Sequence, residues 1–263
     1  MSLVNGTVLV TGATGGIGQA IARGFAARGA DLVLSGRRAE ALAPLAEELR
    51  ARTIVCDLGE RSQVGRLVEE AGEVDVLIAN AALPGTGFLT DLESEHVDRL
   101  LEVNLRAPIA LARGLAPGMV TRRRGHLVFI SSLAGKAASP ASSLYSATKF
   151  GLRGFALGLR EDLLPHGVGV STVAPGFIRD AGMFAEAGVE LPWYVRTRSP
   201  EQVAAAVIRA VERNRAEVDV APAMLRLGAS FASVAPGLAA EVSRRLGSDQ
   251  IALAHVEGQR DKR

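Results

Sequence analysis

The sequence predicts an α/β fold in which a doubly wound parallel sheet forms a single domain. Short apolar, β-branched segments alternate along most of the chain with longer segments whose apolar residues recur at helical spacing. A glycine-rich turn separates the first predicted strand from the first predicted helix. With 263 residues and 48% hydrophobic content, the chain can bury a sizeable core. In such a fold a ligand binds at the carboxyl ends of the strands.

The glycine-rich turn follows the first predicted strand, which covers residues 7–10. Residues 11–18 read Thr-Gly-Ala-Thr-Gly-Gly-Ile-Gly, and a helical pattern begins directly after them. In a unit of strand, turn and helix, glycines let the backbone approach a pyrophosphate, and the helix amino terminus favours its negative charge. The turn therefore predicts a Rossmann-type dinucleotide site. The residues expected to bind the dinucleotide here are Gly12, Thr14, Gly15, Gly16, Ile17 and Gly18.

The end of the second predicted strand, residues 31–35, favours NADP(H) as the cofactor. NAD-specific proteins of this type carry an acidic residue there for the ribose hydroxyls, whereas this chain has Gly36. Arg37 and Arg38 follow it and could pair with a 2′-phosphate. Arginines that only solvate a loop would explain the charge but not the missing acid.

Asp57 directly follows the third predicted strand, which covers residues 53–56 and comes after a predicted helix at about residues 40–50. The strand ends with the single cysteine, Cys56, whose apolar neighbours indicate a buried thiol without an internal disulfide partner. From the residues alone, the Asp57 carboxylate could cap the helix that follows near Glu60.

A long helix is predicted from residue 92 to about residue 121, after the fourth predicted strand, residues 74–78. Pro108 and Pro117 are expected to interrupt it, because proline lacks the amide donor and clashes with the preceding turn. Asn104 lies near the middle of the helix. An asparagine in that place more often bends or caps a helix than takes part in catalysis.

Three polar side chains lie close to the fifth predicted strand, residues 127–130. Ser132 follows this strand, so its hydroxyl should lie at a carboxyl end and could hold a substrate oxygen. Tyr145 and Lys149 are four residues apart on a predicted helix at residues 143–164, so they share one helix face. A cation beside a phenol favours the phenolate and lowers the tyrosine pKa from about 10 toward a catalytic range.

The remaining chain continues the alternation of strands and helices. The sixth predicted strand covers residues 168–173, and a helix at residues 200–214 leads to the last predicted strand, residues 217–220. We expect residues 1–221 to form the main domain. Residues 222–263 form an apolar extension that could pack over the site, make a subunit contact or touch a membrane surface; we expect it to pack on the same domain, with its last residues disordered.

Composition argues against several classes of protein. The net charge is +2, from 30 basic and 28 acidic residues, so no strong electrostatic field recruits nucleic acid. Four scattered histidines and one cysteine are too few for a metal site, so no metal is expected. Neither a signal peptide nor a membrane-spanning run is found, and the protein is expected to be cytoplasmic.

The segment around Tyr145 resembles the active-site segment of the short-chain dehydrogenase/reductase family, in its classical branch. The resemblance rests on Ser132, Tyr145 and Lys149 at the family's spacing, with an Ala-Gly pair at 134–135. It implies that Tyr145 is the general acid/base, that Lys149 lowers its pKa and holds the nicotinamide ribose, and that Ser132 contacts the substrate oxygen. It also implies that Asn104 holds a water that relays protons to Lys149.

The glycine spacing matches two branches of this family. Gly12, Gly16 and Gly18 fit the Thr-Gly-x-x-x-Gly-x-Gly pattern of the classical branch, whereas Gly12, Gly15 and Gly18 fit the pattern of the extended, epimerase-like branch. The motif alone does not separate the two. The chain length and the distance between the serine and the tyrosine favour the classical branch.

The resemblance also implies cofactor contacts in other loops. Asp57 is expected to accept a hydrogen bond from the adenine amino group, and the backbone at Leu58 is expected to meet a ring nitrogen. The further cofactor contacts expected are Asn80, Ala81, Tyr145, Lys149, Pro175, Gly176 and Ile178. Two positions depart from the family pattern: Ala82 replaces a glycine, and no threonine is found near Asp180. The family uses the segment at residues 180–199 as a substrate lid, although an ordinary buried loop would explain its composition equally well.

The sequence and the resemblance together predict an NADP(H)-dependent oxidoreductase that moves a hydride between nicotinamide C4 and a carbonyl or secondary alcohol. We expect it to act on a small molecule and to form a homodimer or homotetramer. One alternative is a nucleotide-sensing protein without turnover, against which the intact set of four catalytic residues argues. The other is an epimerase or dehydratase with bound NAD, against which Gly36 and the short chain argue.

Overall fold

Seven parallel strands form one sheet within residues 3–180 and 196–245, which are the residues described by the computed structural model. Numbered along the chain, their order in the sheet is 3-2-1-4-5-6-7. The strands are β1 (Thr7–Thr11), β2 (Asp31–Gly36), β3 (Arg52–Val55), β4 (Val76–Ala79), β5 (Gly125–Ile130), β6 (Val168–Pro175) and β7 (Glu217–Val220). The predicted doubly wound α/β fold is confirmed. The order reverses between β1 and β4, where a crevice for a ligand forms.

Helices cover both faces of the sheet. In the described part of the chain they are α1 (Gly16–Ala26), α2 (Ala39–Leu49), α3 (Arg61–Ala71), α4 (Ser94–Leu101), α5 (Ala107–Arg122), α6 (Ser143–Leu163), α7 (Pro200–Glu212), α8 (Ala223–Val234) and α9 (Pro236–Arg245). Val8 and Val10 of β1 pack in a cluster with α1, α2 and α7, whereas Leu9 packs in a second cluster with α3, α5 and α6. Because both faces are covered, the central strands are continuous apolar runs.

The long helix expected from residue 92 to residue 121 is divided differently from the prediction. It consists of α4, a π-helical turn at Glu102–Arg106 and α5. Pro108 lies in the first turn of α5, where no amide donor is needed, and α5 continues through Pro117. The expected interruption at Pro117 is therefore wrong: the helix tolerates one missing hydrogen bond because the neighbouring Ala116 and Met119 are buried in the core.

The carboxyl ends of the central strands are tied to one another by side chains. Thr11, at the end of β1, donates a hydrogen bond from Oγ1 to Ile78 O at 3.3 Å. The same oxygen accepts from the backbone N–H of Asn80 at 3.1 Å, just after β4. These bonds fix the loop after β4 beside the glycine-rich turn, so the two loops form one wall of the ligand crevice.

The extension after residue 221 begins with the two helices α8 and α9. Ala229 of α8 is buried, and Ser233 donates a hydrogen bond from Oγ to Lys136 O at 3.1 Å, in the turn after β5. Other apolar side chains of α8 are exposed, among them Met224 at 80% and Val234 at 85%. No helix in residues 3–180 and 196–245 is long and apolar enough to span a bilayer. Most of the predicted lid, residues 181–195, and the end of the extension, residues 246–263, lie outside the described residues.

Candidate active site

A cleft of about 440 Å³ opens at the carboxyl ends of β1, β2, β3 and β4. Most of the residues predicted to bind a dinucleotide line it together. They are Gly12, Thr14, Gly15, Gly16, Ile17, Gly18, Arg37, Asp57, Leu58, Asn80 and Ala81. Ala82, the position that departs from the family pattern, also lines the cleft. Arg38 is exposed at the start of α2 and is not among the lining residues.

The glycine-rich turn needs glycine at two of its positions. Gly12 has a φ of +63°, and a Cβ there would lie only 2.7 Å from Ala81 Cα. A Cβ on Gly18 would lie 2.9 Å from Ala13 Cα. The Asn80 side chain braces the turn from β4, because its Nδ2 donates to Gly12 O at 3.1 Å. The turn and the start of α1 therefore present bare backbone to the cleft, as a pyrophosphate site requires.

The Asp57 carboxylate is held by two donors at the far end of the cleft. Its Oδ1 accepts from Gly59 N at 2.9 Å, and its Oδ2 pairs with Arg99 Nη2 at 2.8 Å. Burial alone would raise the pKa of Asp57, but the hydrogen bonds from Arg99 and Gly59 and the charges of Arg99 and Arg37 lower it overall. The carboxylate does not cap α3, whose first residue is Arg61 and whose capping position is occupied by Glu60 without a side-chain hydrogen bond.

Arg99, which was not predicted as a site residue, lines the same cleft. Its guanidinium comes from α4, which follows β4 along the chain. The charge of Arg99 compensates that of Asp57 at this end of the cleft. No local motif marks such a residue, because its contact with Asp57 joins residues 42 positions apart in the chain.

Ser132, Tyr145 and Lys149 come together in a second cluster at the carboxyl end of β5. Lys149 is 2% exposed, and its Nζ donates to Ile130 O at 2.9 Å and lies 5.5 Å from the centroid of the Tyr145 ring. Ser132 hydrogen-bonds to the Tyr145 hydroxyl through its side chain. Its Oγ also accepts from Ala134 N at 3.1 Å. The cluster thus contains a phenol flanked by a hydroxyl and a buried ammonium.

Burial dominates the pKa values of both titratable groups in this cluster. It raises the pKa of Tyr145 to about 12, although the hydrogen bond with Ser132 lowers it. Tyr145 as a whole residue is only partly buried, so the burial that raises its pKa is that of the phenol group. Burial also lowers the pKa of Lys149 to about 8. The lowered tyrosine pKa expected from the sequence is therefore not found in this structure, because loss of phenolate hydration is the larger effect.

The loop after β4 connects the cofactor cleft to this cluster. Asn104, 1% exposed in the π-helical turn, accepts from Leu83 N at 2.7 Å and donates to Leu83 O at 2.9 Å. Further along the loop, a Cβ on Gly85 would lie 3.1 Å from Tyr145 Cβ, and Gly87 N donates to Ala141 O at 2.7 Å. Leu83 and Gly85 were not predicted as site residues, because they reach the site only through these contacts.

The residues expected on the nicotinamide side lie at the carboxyl end of β6. Pro175 ends the strand, and Gly176 N donates to Val220 O at 3.1 Å. A Cβ on Gly176 would lie 3.3 Å from Leu133 Cδ1, so this loop adjoins the turn that carries Ser132. Ile178 is 4% exposed, and its side chain packs in the core cluster with α1 and α7.

Comparison with known proteins places the chain among one family of enzymes. The family model described as "short chain dehydrogenase" matches residues 6–191. The chain is 35% identical to dehydrogenase/reductase SDR family member 7B of Bos taurus over 256 residues, which cover 89% of this chain and 79% of that protein. It is 35% identical to the ketoacyl reductase HetN of Nostoc over 228 residues, covering 83% and 79%.

Two solved structures that contain a nicotinamide cofactor share the fold. A metagenomic short-chain oxidoreductase in complex with NADP has a TM-score of 0.72 and 33% identity, covering 84% of this chain and 99% of the other. A short-chain dehydrogenase from Sphingobium yanoikuyae in complex with NADPH has a TM-score of 0.75 and 29% identity, covering 93% of each chain.

Proposed function

The chain belongs to the short-chain dehydrogenase/reductase family, and we propose that it is an NADP(H)-dependent enzyme that interconverts a carbonyl and a secondary alcohol. One observation carries the proposal. The buried ammonium of Lys149 and the hydroxyl of Ser132 both flank the Tyr145 phenol, and the loop after β4 connects them to a cleft built for a dinucleotide. This arrangement provides an acid, a holder for the substrate oxygen and a cofactor site.

In the reducing direction the bound cofactor supplies the hydride that the carbonyl carbon accepts. Ser132 holds the carbonyl oxygen, and Tyr145 gives that oxygen its phenolic proton, so the product is an alcohol. With a pKa of about 12 the phenol is protonated at neutral pH, as a general acid must be. In the oxidising direction Tyr145, as the phenolate, would take the alcohol proton, and the carbon would give its hydride to the oxidised cofactor.

Lys149 restores the proton of Tyr145. Its pKa of about 8 means that the ammonium can release a proton near neutral pH more readily than an exposed lysine. Asn104 is the next residue of the proposed relay. Leu83 holds both the oxygen and the nitrogen of its side-chain amide, so the residue is fixed within the π-helical turn.

Preference for NADP(H) is supported by the adenosine end of the cleft. Gly36 brings no carboxylate to this place, and the exposed Arg37 lines the cleft. The charge of the nearby Asp57 is compensated by Arg99 at 2.8 Å. Among the described residues that line the cleft, a 2′-phosphate would therefore meet the exposed Arg37, and the one lining carboxylate, Asp57, is already paired with Arg99. Two related structures contain NADP and NADPH respectively, which is consistent with this preference.

A substrate screen tests the proposal. The purified protein is offered ketones, aldehydes, 3-oxoacyl thioesters and secondary alcohols, and NADPH absorbance is followed with NADH in parallel. We expect turnover of at least one carbonyl class with NADPH and weaker turnover with NADH. Tight NADPH binding without turnover of any compound would instead support a nucleotide-sensing protein.

A further inference from the structure

Four buried or half-buried charged side chains form a group that the proposed mechanism does not use. Lys136 is 8% exposed, and its Nζ lies 2.7 Å from Asp219 Oδ1 and 3.8 Å from Glu217 Oε1. Arg153 donates two hydrogen bonds to Glu217, from Nε to Oε1 at 2.6 Å and from Nη2 to Oε2 at 3.0 Å. Two cations thus balance two carboxylates.

The group connects the turn that carries Ser132 to the catalytic helix α6. Lys136 ends that turn, and its backbone N–H donates to Leu133 O at 2.9 Å. Arg153 lies one helical turn after Lys149 on α6. Both carboxylates lie on β7, the strand that both cations contact. The hydrogen bond with Arg153 is the main cause that lowers the pKa of the β7 glutamate, so this carboxylate stays charged.

The turn also packs directly on the backbone of α6. A Cβ on Gly135 would lie 2.8 Å from Lys149 O, and Ser131 Oγ donates to the same oxygen at 3.2 Å. Within the turn, Gly135 N donates to Ser132 O at 2.9 Å. A movement of the turn therefore moves Ser132 relative to the helix that holds Tyr145.

We propose that Lys136 is a positioning residue, which fixes the Ser132 hydroxyl relative to Tyr145 through its ion pair with Asp219. The inference rests on the proposed function, because it takes Ser132 as the group that holds the reacting oxygen. A buried carboxylate that loses its partner is strongly disfavoured, so removal of Lys136 both frees the end of the turn and leaves Asp219 unpaired. Arg153 continues to hold Glu217 in either case.

The first test requires no turnover. The chain contains two tyrosines, so ¹³Cζ-tyrosine labelling gives two NMR resonances, which Tyr145→Phe assigns. Because Ser132 hydrogen-bonds to the Tyr145 phenol, Ser132→Ala shifts the Tyr145 resonance. Lys136→Met should move it in the same direction, and Lys136→Arg should not. A Tyr145 resonance that keeps its wild-type position in Lys136→Met would overturn the proposal.

The second test uses a double-mutant cycle in the enzyme assay. Lys136→Met should lower kcat roughly tenfold to a hundredfold, as expected for a displaced reacting group, with the NADPH dissociation constant unchanged. In the Ser132→Ala background the same change should have no further effect, because Lys136 acts through Ser132. An equal loss of kcat in both backgrounds would show that Lys136 acts in another way.

Two controls separate positioning from stability. Lys136→Met combined with Asp219→Asn removes both charges of the ion pair. We expect the thermal midpoint of this double variant to return toward the wild-type value while kcat stays low. Recovery of kcat together with the thermal midpoint would show that Lys136 has only a structural role and would refute the proposal. Arg28→Met removes a cation from an exposed pair with Glu212 and should leave kcat unchanged. A wild-type protein without any carbonyl turnover would refute the proposed function, whereas the NMR test would still decide the positioning role.

Discussion

Burial moves the pKa values of Tyr145 and Lys149 in opposite directions, because it disfavours the charged form of each group. The phenol has a pKa of about 12 and the ammonium a pKa of about 8. At pH 7 both groups therefore carry their protons. The proposed reduction of a carbonyl needs this state, since in that mechanism Tyr145 donates a proton and Lys149 replaces it.

The role of Tyr145 is tested by the smallest change that removes its proton. Tyr145→Phe keeps the ring that packs beside Lys149 and deletes only the hydroxyl. We expect NADPH binding close to that of the wild type and kcat lower by orders of magnitude, since general acid catalysis alone contributes roughly 10²–10⁴-fold. Comparable turnover in this variant would refute the assignment. The dissociation constant, measured by titration, serves as the control for folding.

The role of Lys149 predicts a pH dependence. Its ammonium loses its proton as the pH rises through about 8, so we expect kcat for reduction to fall in that range. Lys149→Ala should weaken NADPH binding and lower kcat together, because one ammonium is proposed to serve both the ribose and the phenol. The fall near pH 8 should also disappear. A variant that changes only the NADPH dissociation constant would show that the lysine has no part in proton transfer.

Among the elements, the central strands were predictable because β1, β4, β5 and β6 are buried on both faces and read as apolar runs. The last strand was predicted at residues 217–220 and is found there. β5 begins two residues earlier than predicted, because Gly125 and the buried His126 carry no apolar signal. The π-helical turn around Asn104 was not predictable, since its side chain is held by Leu83 from another segment.

Residues 36 and 37, in the loop after β2, are expected to determine the preference for NADPH over NADH. Gly36→Asp combined with Arg37→Ile replaces a cation for the 2′-phosphate with an acceptor for the ribose hydroxyls. A charge-assisted hydrogen bond contributes about 1.5–3 kcal/mol, so NADPH affinity should fall roughly tenfold to a hundredfold. NADH affinity should rise or stay unchanged, and the preference should invert. The wild-type NADPH advantage should shrink with salt, because Arg37 is exposed.

A matched variant controls for the added side chain at position 36. A Cβ on Gly36 would lie 3.3 Å from Thr14 Cγ2 and 3.4 Å from Leu42 Cδ2, a tight but adjustable contact. Gly36→Asn with Arg37→Ile has the same shape without the charge and isolates the effect of the carboxylate. Dissociation constants for both coenzymes at two ionic strengths decide the matter. If the unmodified protein binds NADH as tightly as NADPH, Arg37 is only a solvated residue.

At the scale of the whole molecule, the site depends on contacts between distant segments. Motifs at strand ends predicted the glycine turn and the residues around Tyr145, because parallel strands bring their carboxyl ends to one edge. Arg99 and Lys136 were beyond such reasoning. Arg99 contacts Asp57 from helix α4, and Lys136 contacts carboxylates of β7, which is distant from it in the sequence.

One buried group links the stability of the whole sheet to pH. His126 of β5 is 1% exposed, and its Nε2 lies 2.7 Å from Ser171 Oγ on β6. The Ser171 hydroxyl in turn donates to Arg215 O, in the segment before β7, so the imidazole Nε2 is the donor to Ser171. Burial, with a smaller effect of the nearby Arg160 charge, lowers the pKa of His126 to about 3. The folded protein therefore holds this histidine neutral.

This depressed pKa predicts a loss of stability in mild acid. An unfolded histidine titrates near 6.5, so between about pH 6.5 and pH 3 the unfolded state binds a proton that the folded state does not. Stability should then fall as the pH falls, by roughly 2 kcal/mol between pH 7 and pH 5 from this group alone.

His126→Gln keeps an amide donor and removes the titration, so urea unfolding should show a smaller loss of free energy of unfolding between the two pH values. His166→Gln, at an exposed position, should retain the wild-type difference. If His126→Gln loses as much free energy of unfolding as the wild type, the buried histidine does not set the acid stability of the sheet.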